Sequence, residues 1–349
     1  MNKIKSIIFI IFIVSLLITI IELYLNYTKP TPYTHDVELG WTAKKNFEHT
    51  YKEKDFYGVK YDSIYSTNRL GARFFSMKVS KKKNNQIMKI MVIGDSFTMD
   101  PYVGNNDMWF SIVASDLSKK INQTTEVLAF GAGAYGNFQQ YLLLNRQITK
   151  DYSFRNYKPD FLIMQFCSND FSNNNLELEK SSFALSQYMR RPYLVNNKIY
   201  YHKSFLSPLF RKLFFFKDSR IFSKLVFIYE FIVKKYFHSD LQIVDSKVIS
   251  QAKKTTLKIL TNIRNLYPNT PSFIFSCSNM PSKLNNNWKE IAKLANYIVL
   301  DKSSNFIDEG RRGGKKIFYK DGGHLNKQGN FDLGKLILEE ISENIKLIN

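Results

Sequence analysis

Lys89–Ile–Met–Val–Ile–Gly94–Asp95–Ser96–Phe97–Thr98 is the stretch whose reading decides the fold. Ile90 to Ile93 is a short unbroken apolar run that stops at a glycine, and an acid and a serine follow at once. A run of that length bounded by a turn signal suits a strand buried on both faces of a parallel sheet. In open α/β sheets the functional groups sit just past the carboxyl ends of such strands. Ser96 is therefore expected to open the next helix, where free backbone N–H groups and the helix dipole favour negative charge. That position suits a serine that attacks a carbonyl. Taken alone, Gly-Asp-Ser reads first as a helix cap, and only the rest of the chain moves that reading.

The pattern repeats outward from there. Ile87 to Ile93, Glu126 to Phe130, Phe161 to Phe166, Ser272 to Ser276 and Tyr297 to Leu300 read as core strands. Helical spacing marks Met108 to Lys120, Phe138 to Thr149, Ser246 to Leu266, Trp288 to Ala295 and a closing helix from about Asn326 to Ile345. Strands alternating with helices predict a mostly parallel sheet covered on both faces. Residues 171–245 interrupt the alternation and read as an insertion. Within it Arg191 to Tyr201 reads as a hairpin turning at Asn196–Asn197. Phe205 to Phe237 is rich in Phe, Leu and Lys. It reads first as a helical subdomain on the core and second as a cationic lid or membrane-surface element.

Lys3 and Lys5 precede Ser6 to Ile21, sixteen residues without a charge, and Leu23 to Leu25 extend the apolar character past Glu22. About 20 apolar residues span a bilayer. A cleaved signal needs small residues before the cut, and Glu22 to Tyr27 offers none. Residues 1–26 are thus expected to form an uncleaved signal anchor. The amino-terminal lysines keep the short end cytoplasmic, so the rest lies outside, as a single-pass, extracytoplasmic protein. The Lys, Asn and Ile bias fits a bacterial source. Residues 27–86 form a polar, aromatic extension of short strands and loops, with Lys81 to Asn85 a solvated loop, and residues 87–349 form the main domain.

Formal net charge is +20, with 50 Lys+Arg against 30 Asp+Glu. The excess favours anionic partners. Acidic glycans and phospholipid head groups fit an outward-facing chain, whereas nucleic acid does not. Two cysteines are compatible with an oxidising compartment. Both end core strands, in Phe166–Cys167–Ser168–Asn169 and Ser276–Cys277–Ser278–Asn279. They are expected to be neighbours, and as free thiols, because adjacent parallel strands rarely present bridging Cβ directions.

Serine catalysis needs a base, a group that orients the base, and oxyanion donors. Among five histidines, His35, His49, His202 and His238 have no accompanying chemistry. His324 lies in Lys320–Asp321–Gly322–Gly323–His324–Leu325–Asn326, before the closing helix. Asp321 and His324 are three apart on a glycine-flexed loop that can fold toward a serine at the same sheet edge. No His-Glu-x-x-His, paired cysteines at zinc spacing or phosphate-binding glycine loop is visible, so no metal or cofactor is expected.

Gly94–Asp95–Ser96–Phe97, Phe130–Gly131 with Gly136 and Gln139, Ser168–Asn169–Asp170, and Asp321–x–x–His324–Leu325–Asn326 together resemble the four blocks of the SGNH (GDSL-type) hydrolases, in order. The lead-in Asn68 to Arg73 resembles a membrane-anchored sub-group associated with bacterial surface polysaccharides. The resemblance implies a three-layer αβα fold with a flavodoxin-like sheet. It implies Ser96 as nucleophile, His324 as general base and Asp321 as the orienting carboxylate. It also implies an oxyanion hole from the N–H groups of Ser96 and Gly131 and the Asn169 amide. Asp95 and Asp170 read as structural members of their turns. The chain departs from the family at Ala129, Ala134 and Cys167, which leaves Gly133 as a second choice for the glycine donor.

The reading that follows is a membrane-anchored serine esterase acting, through an acyl-enzyme, on an acyl ester of an extracytoplasmic glycan or lipid. The same site serves an O-acyltransferase of a surface polysaccharide if a sugar hydroxyl replaces water. A non-catalytic glycan-binding scaffold is the alternative of another class.

Overall fold

The structure is a computed structural model, and its described residues are 3–28, 30–54, 60–79, 86–181, 191–201, 219–221, 225, 228, 245–277, 287–319 and 323–344. The loop read at Lys81 to Asn85 and most of Phe205 to Phe237 lie outside them, as does Asp321.

Helix α1 (Lys3–Thr28) is long and apolar enough to cross a membrane, and none of its residues is buried. Four short strands follow in two antiparallel pairs, β1 (Tyr33–Asp36) with β2 (Gly40–Ala43) and β3 (Glu48–Lys54) with β4 (Lys60–Ser66). Strand β5 (Arg73–Met77) precedes β6 (Met88–Gly94), the strand of the opening stretch. The one-turn α2 (Ser96–Met99) begins at Ser96, and the longer α3 (Trp109–Ile121) follows after a loop. Next come β7 (Thr125–Gly131), α4 (Asn137–Lys150), α5 (Tyr152–Arg155), β8 (Phe161–Phe166), α6 (Asp170–Asn173) and α7 (Leu176–Ser181). The hairpin β9 (Pro192–Val195) and β10 (Lys198–Tyr201) turns at Asn196 and Asn197, with φ of 48° and 63°. Asparagine tolerates the left-handed region that such a two-residue turn demands at both positions. The chain closes with α8 (Ser246–Leu266), β11 (Ser272–Ser276), α9 (Trp288–Leu294), β12 (Ile298–Val299), α10 (Asp301–Arg312) and α11 (Lys327–Asn344).

The main sheet has the order β12-β11-β8-β6-β7-β5, parallel except for the antiparallel edge strand β5. Counting only the parallel strands, this is the flavodoxin-like order, with its switch point between β6 and β8. The alternation of side chains along β6 builds two cores. Met91 and Ile93 face one that contains Phe138 and Leu144 of α4, Ile259 and Ile263 of α8, and Trp288 and Ile291 of α9. Ile90 and Val92 face the other, with Trp109, Val113 and Leu117 of α3, Ile307 of α10, and Leu333 and Ile337 of α11. Helices therefore cover both faces, as a three-layer αβα fold. Each such fully buried large apolar side chain contributes about 1.5–3 kcal/mol relative to exposure.

Helix α10 was not foreseen. Its buried residues are Ser303, Ser304, Ile307 and Gly310, a face with one large apolar side chain. The serines pack because they are bonded: Ser304 Oγ accepts from Ser276 N–H at 2.9 Å, and Glu340 of α11 takes the Ser303 N–H at 2.8 Å. The hairpin is tied to the domain by a buried ion pair, Arg191 Nε to Glu179 Oε2 at 3.0 Å. The Arg191 guanidinium also donates to Gln139 Oε1 at 2.6 Å and lies 5.1 Å over the Trp41 ring.

Cys167 and Cys277 are neighbours, as expected, but they form a disulfide, which corrects the expectation of free thiols. The register explains it. Ser276 pairs with Phe166, and Cys277 N–H donates to Phe166 C=O at 2.7 Å, which continues the ladder past both strand ends. The Cα atoms come to 5.1 Å, inside the bridging range. The bond closes a loop of 110 residues that contains the whole insertion. Replacing both cysteines with alanine is expected to cost about 2–4 kcal/mol, read as a lower urea midpoint. An unchanged midpoint would refute this.

Candidate active site

Ser96 sits where β6 runs into α2, beside the switch point. Asp95 is the N-cap, and its carboxylate accepts from Phe97 N–H at 3.1 Å. Gln165 of β8 holds the turn from below. Its Oε1 accepts from Asp95 N–H at 2.9 Å and from Thr98 Oγ at 3.2 Å. Its Nε2 lies 3.1 Å from Cys167 Sγ. A buried glutamine in the run Phe161–Leu–Ile–Met–Gln–Phe166 carries no motif signal, so sequence reasoning passed over it. Ser96 itself is only partly buried, whereas Asp95, Phe97 and Thr98 are buried around it.

Asp95 and Asp170 are both fully buried carboxyls. Burial pushes Asp95 up to about 6, against the hydrogen bonds from Phe97 N–H and Gln165 that favour its charged form. Burial and then the charge of Asp95 push Asp170 well above the ordinary range. The sign follows from linkage. The folded chain keeps the Asp95 proton at pH values where the unfolded chain has lost it, so stability falls as pH rises from 3.8 to about 6. Asp95→Asn keeps an acceptor for Phe97 N–H. It is expected to gain on the wild type in urea midpoint as pH is raised from 4 to 7. A gap that stays constant with pH would exclude titration of Asp95 in that window.

Asp170 orients the loop that carries Asn169. Its Oδ2 accepts from Cys167 N–H at 2.9 Å and from Asn137 Nδ2 of α4 at 3.0 Å. Asn174 continues the network, donating to Asn137 Oδ1 at 2.9 Å and to Thr256 Oγ of α8 at 3.1 Å. The exposed Asn169 stands at the start of α6, one residue beyond the partly buried Ser168.

Gly131 ends β7 directly beside Gly94. A Cβ there would lie 2.5 Å from the Gly94 carbonyl oxygen and 3.1 Å from Met99 Cγ, so only glycine lets β7 end against the Ser96 turn. Gly133, the second choice for an oxyanion donor, is otherwise committed. Its N–H donates to Tyr33 Oη at 3.0 Å, and its C=O accepts from Trp41 Nε1 at 2.9 Å. Tyr135 Oη in turn donates to the Trp41 carbonyl at 2.5 Å. The glycine loop is thus pinned by β1 and β2, whose aromatic residues the sequence reading left unassigned.

His324 reaches the same edge on the loop between α10 and α11. Phe318 and Leu325 form an antiparallel bridge at the base of that loop. Buried Asn326 cross-braces it, with its Nδ2 bonded to the carbonyls of Lys316 at 2.9 Å and Phe318 at 3.1 Å and its Oδ1 to Gly329 N–H at 3.0 Å. The imidazole lies against the Phe97 ring, centroids 5.1 Å apart, which brings His324 beside the residue that follows Ser96. Arg311 of α10 was also missed. Its guanidinium covers the Phe97 ring at 5.6 Å and the Phe318 ring at 5.4 Å, and it donates to the Gly323 carbonyl at 3.2 Å. Among the described residues no cluster of His, Cys, Asp or Glu could hold a metal ion.

Residues 90–194 match the family GDSL-like Lipase/Acylhydrolase. No curated protein matches the chain. Similar solved structures include TesA, 9% identical over 74% of this chain and 100% of that one, with a TM-score of 0.42. A lipase/acylhydrolase from Enterococcus faecalis is 14% identical over 74% and 96%, with a TM-score of 0.39. The acetyl xylan esterase Est2A from the rumen bacterium Butyrivibrio proteoclasticus is 12% identical over 82% and 67%, with a TM-score of 0.37. The family match lies across the Ser96, Gly131 and Asn169 turns, so it is this part of the chain that is similar to the GDSL-like lipases and acylhydrolases.

Proposed function

We propose that the chain is a single-pass, membrane-anchored esterase of the bacterial cell surface, with Ser96, His324 and Asp321 as its triad. The contact of the His324 imidazole with Phe97, next to Ser96 at the sheet's switch point, supports this most directly. In this reading His324 takes the Ser96 Oγ proton as that oxygen bonds the ester carbonyl carbon. The N–H groups of Ser96 and Gly131 and the Asn169 amide receive the oxyanion. Gly131 is preferred to Gly133 because the Gly133 N–H is already bonded to Tyr33. Collapse breaks the bond to the alcohol, which leaves with the proton from His324. Water then attacks the acyl-enzyme, giving its proton to His324 and releasing the acid and free Ser96.

The substrate proposed is an acyl ester of an extracytoplasmic glycan or lipid, with the basic charge balance favouring an anionic one. A fluorophosphonate probe with intact-mass readout tests the chemistry. Wild type is expected to gain one probe adduct, located on Ser96, and the Ser96→Ala chain none. A wild-type chain that neither labels nor turns over a simple acyl ester, yet binds glycan, would make it a scaffold. Supplying a sugar acceptor separates hydrolysis from transfer by whether free acid or acylated glycan forms faster.

A further inference from the structure

The Cys167–Cys277 bond lies directly beneath the Ser96 turn, joined to it by one side chain. Gln165 and Cys167 are two apart on β8 and its extension, so their side chains leave the same face of the sheet. Gln165 is fully buried, and Cys167 and Cys277 are 3% and 1% exposed. The Gln165 amide fills the gap between the bond and the turn. On one side its Nε2 lies 3.1 Å from Cys167 Sγ. On the other its Oε1 takes both Asp95 N–H and the Thr98 hydroxyl. The fit is close, since a Cβ on Gly94 would overlap Gln165 Oε1 and Thr98 Oγ.

The sulfur decides which way round the amide sits. A disulfide sulfur carries no proton and can only accept, so Nε2 faces it and Oε1 faces the Asp95 turn. The bond also fixes where that sulfur is. Cys167 Sγ is joined to Cys277, and the Cys167 main chain is held by Asp170, whose Oδ2 accepts from Cys167 N–H at 2.9 Å and whose N–H donates to Cys167 C=O at 2.9 Å. Reduction removes both constraints. A thiol donates as well as accepts, and an unbridged side chain turns about χ1 among its staggered positions. The amide is then free to turn over, which sets Nε2 against Asp95 N–H, donor to donor. The sheet itself does not need the bond, because Ser276 pairs with Phe166 and Cys277 N–H reaches Phe166 C=O through the backbone.

We infer that the Cys167–Cys277 disulfide is a positioning element of the active site, acting through Gln165 to hold the Ser96 turn, so that ester cleavage needs the oxidised pair. The inference rests on Ser96 being the nucleophile. Slack in the turn displaces the Ser96 hydroxyl and the Ser96 N–H together, and a misplacement of about 1 Å is enough to cost about 10² in rate. The activity is thereby confined to an oxidising compartment, where such bonds persist.

The test compares the full chain oxidised and reduced. A small dithiol such as dithiothreitol passes two electrons to the bond, which leaves two cysteine thiols and the cyclic disulfide of the reductant. Alkylation of an aliquot in urea, read by intact mass, counts the thiols. The reduced chain, still folded by circular dichroism, is expected to lose about 10–10²-fold in kcat on a simple acyl ester and in the rate of fluorophosphonate labelling at Ser96. KM should change little, and reoxidation should restore both rates. Cys167→Ala combined with Cys277→Ala should show the same loss without reductant. Gln165→Met keeps the length of the side chain without its amide. That variant should be slow when oxidised, and reduction should slow it little further, because the bond and the amide act in series. A folded, reduced wild-type chain that labels at the oxidised rate would overturn the inference and leave Ser96 as nucleophile. So would full multiplication of the two losses in Gln165→Met, or a loss of rate that merely tracks loss of circular dichroism in the reduced chain and the alanine pair alike. An oxidised wild-type chain that neither labels nor turns over ester would overturn the esterase reading and this inference together.

Discussion

Ser96→Ala and His324→Ala are each expected to abolish ester turnover, and the double variant is expected to be little worse than either. The nucleophile and its base act as one unit, so removing either leaves only what the oxyanion donors and substrate binding supply. In serine proteases single losses of this kind reach about 10⁶ in kcat. The environment of Ser96 makes the alanine variant a clean test. The turn is held by bonds from Asp95 N–H and Thr98 Oγ to Gln165 and from Phe97 N–H to the Asp95 carboxylate, all of which survive loss of the Ser96 hydroxyl. His324→Ala removes a ring that packs on Phe97, but Asn326 and the Phe318–Leu325 bridge still hold the loop. Urea midpoints close to wild type should therefore accompany the lost activity. Multiplying losses in the double variant would mean that the two residues act independently and that no triad exists.

Asn169→Ala is expected to lower kcat by about 10²–10³, the usual loss for one oxyanion donor. KM should change little, because the donor is engaged by the developing oxyanion more than by the ground-state carbonyl. Probe labelling of Ser96 should slow but remain measurable. Folding should be nearly untouched. Asn169 is exposed, and its loop is held through Asp170 to Cys167 N–H and Asn137 instead of through the Asn169 side chain. Asn169→Asp supplies the control, since it keeps the shape and replaces the donor with a negative acceptor. It should fall at least as far as alanine. An alanine variant with unchanged kcat would place Asn169 outside the oxyanion hole.

Much of the scaffold is legible because strands and helices advertise themselves locally. Ile90 to Ile93 is apolar at every position, and a strand with that pattern must be covered on both faces, as β6 is. The spacing of apolar residues placed α3, α4, α8 and α11 to within a few residues, and Asn196–Asn197 announced a turn with two positive φ values. Ser96, Gly131 and Asn169 are brought together by the resemblance to the SGNH hydrolases, and the fold places each at or just past a strand end, on the one edge of the sheet that the ends of parallel strands share. Helix α10 escaped because its buried face is mostly serine and glycine, which no hydrophobic period marks.

What tertiary structure alone decided are the partners of polar groups. Gln165 beneath Asp95, Tyr33 and Trp41 on Gly133, Arg311 over Phe97, and Glu22 at Ser219 each join residues far apart in the chain. The Cys167–Cys277 bond belongs with them, because it depends on the register of β8 against β11. Periodicity records how a residue faces its own element, and burial of an apolar side chain needs no particular partner. A hydrogen bond or a disulfide needs a named atom at a set distance and direction, and only the packed sheet and its covering helices supply that.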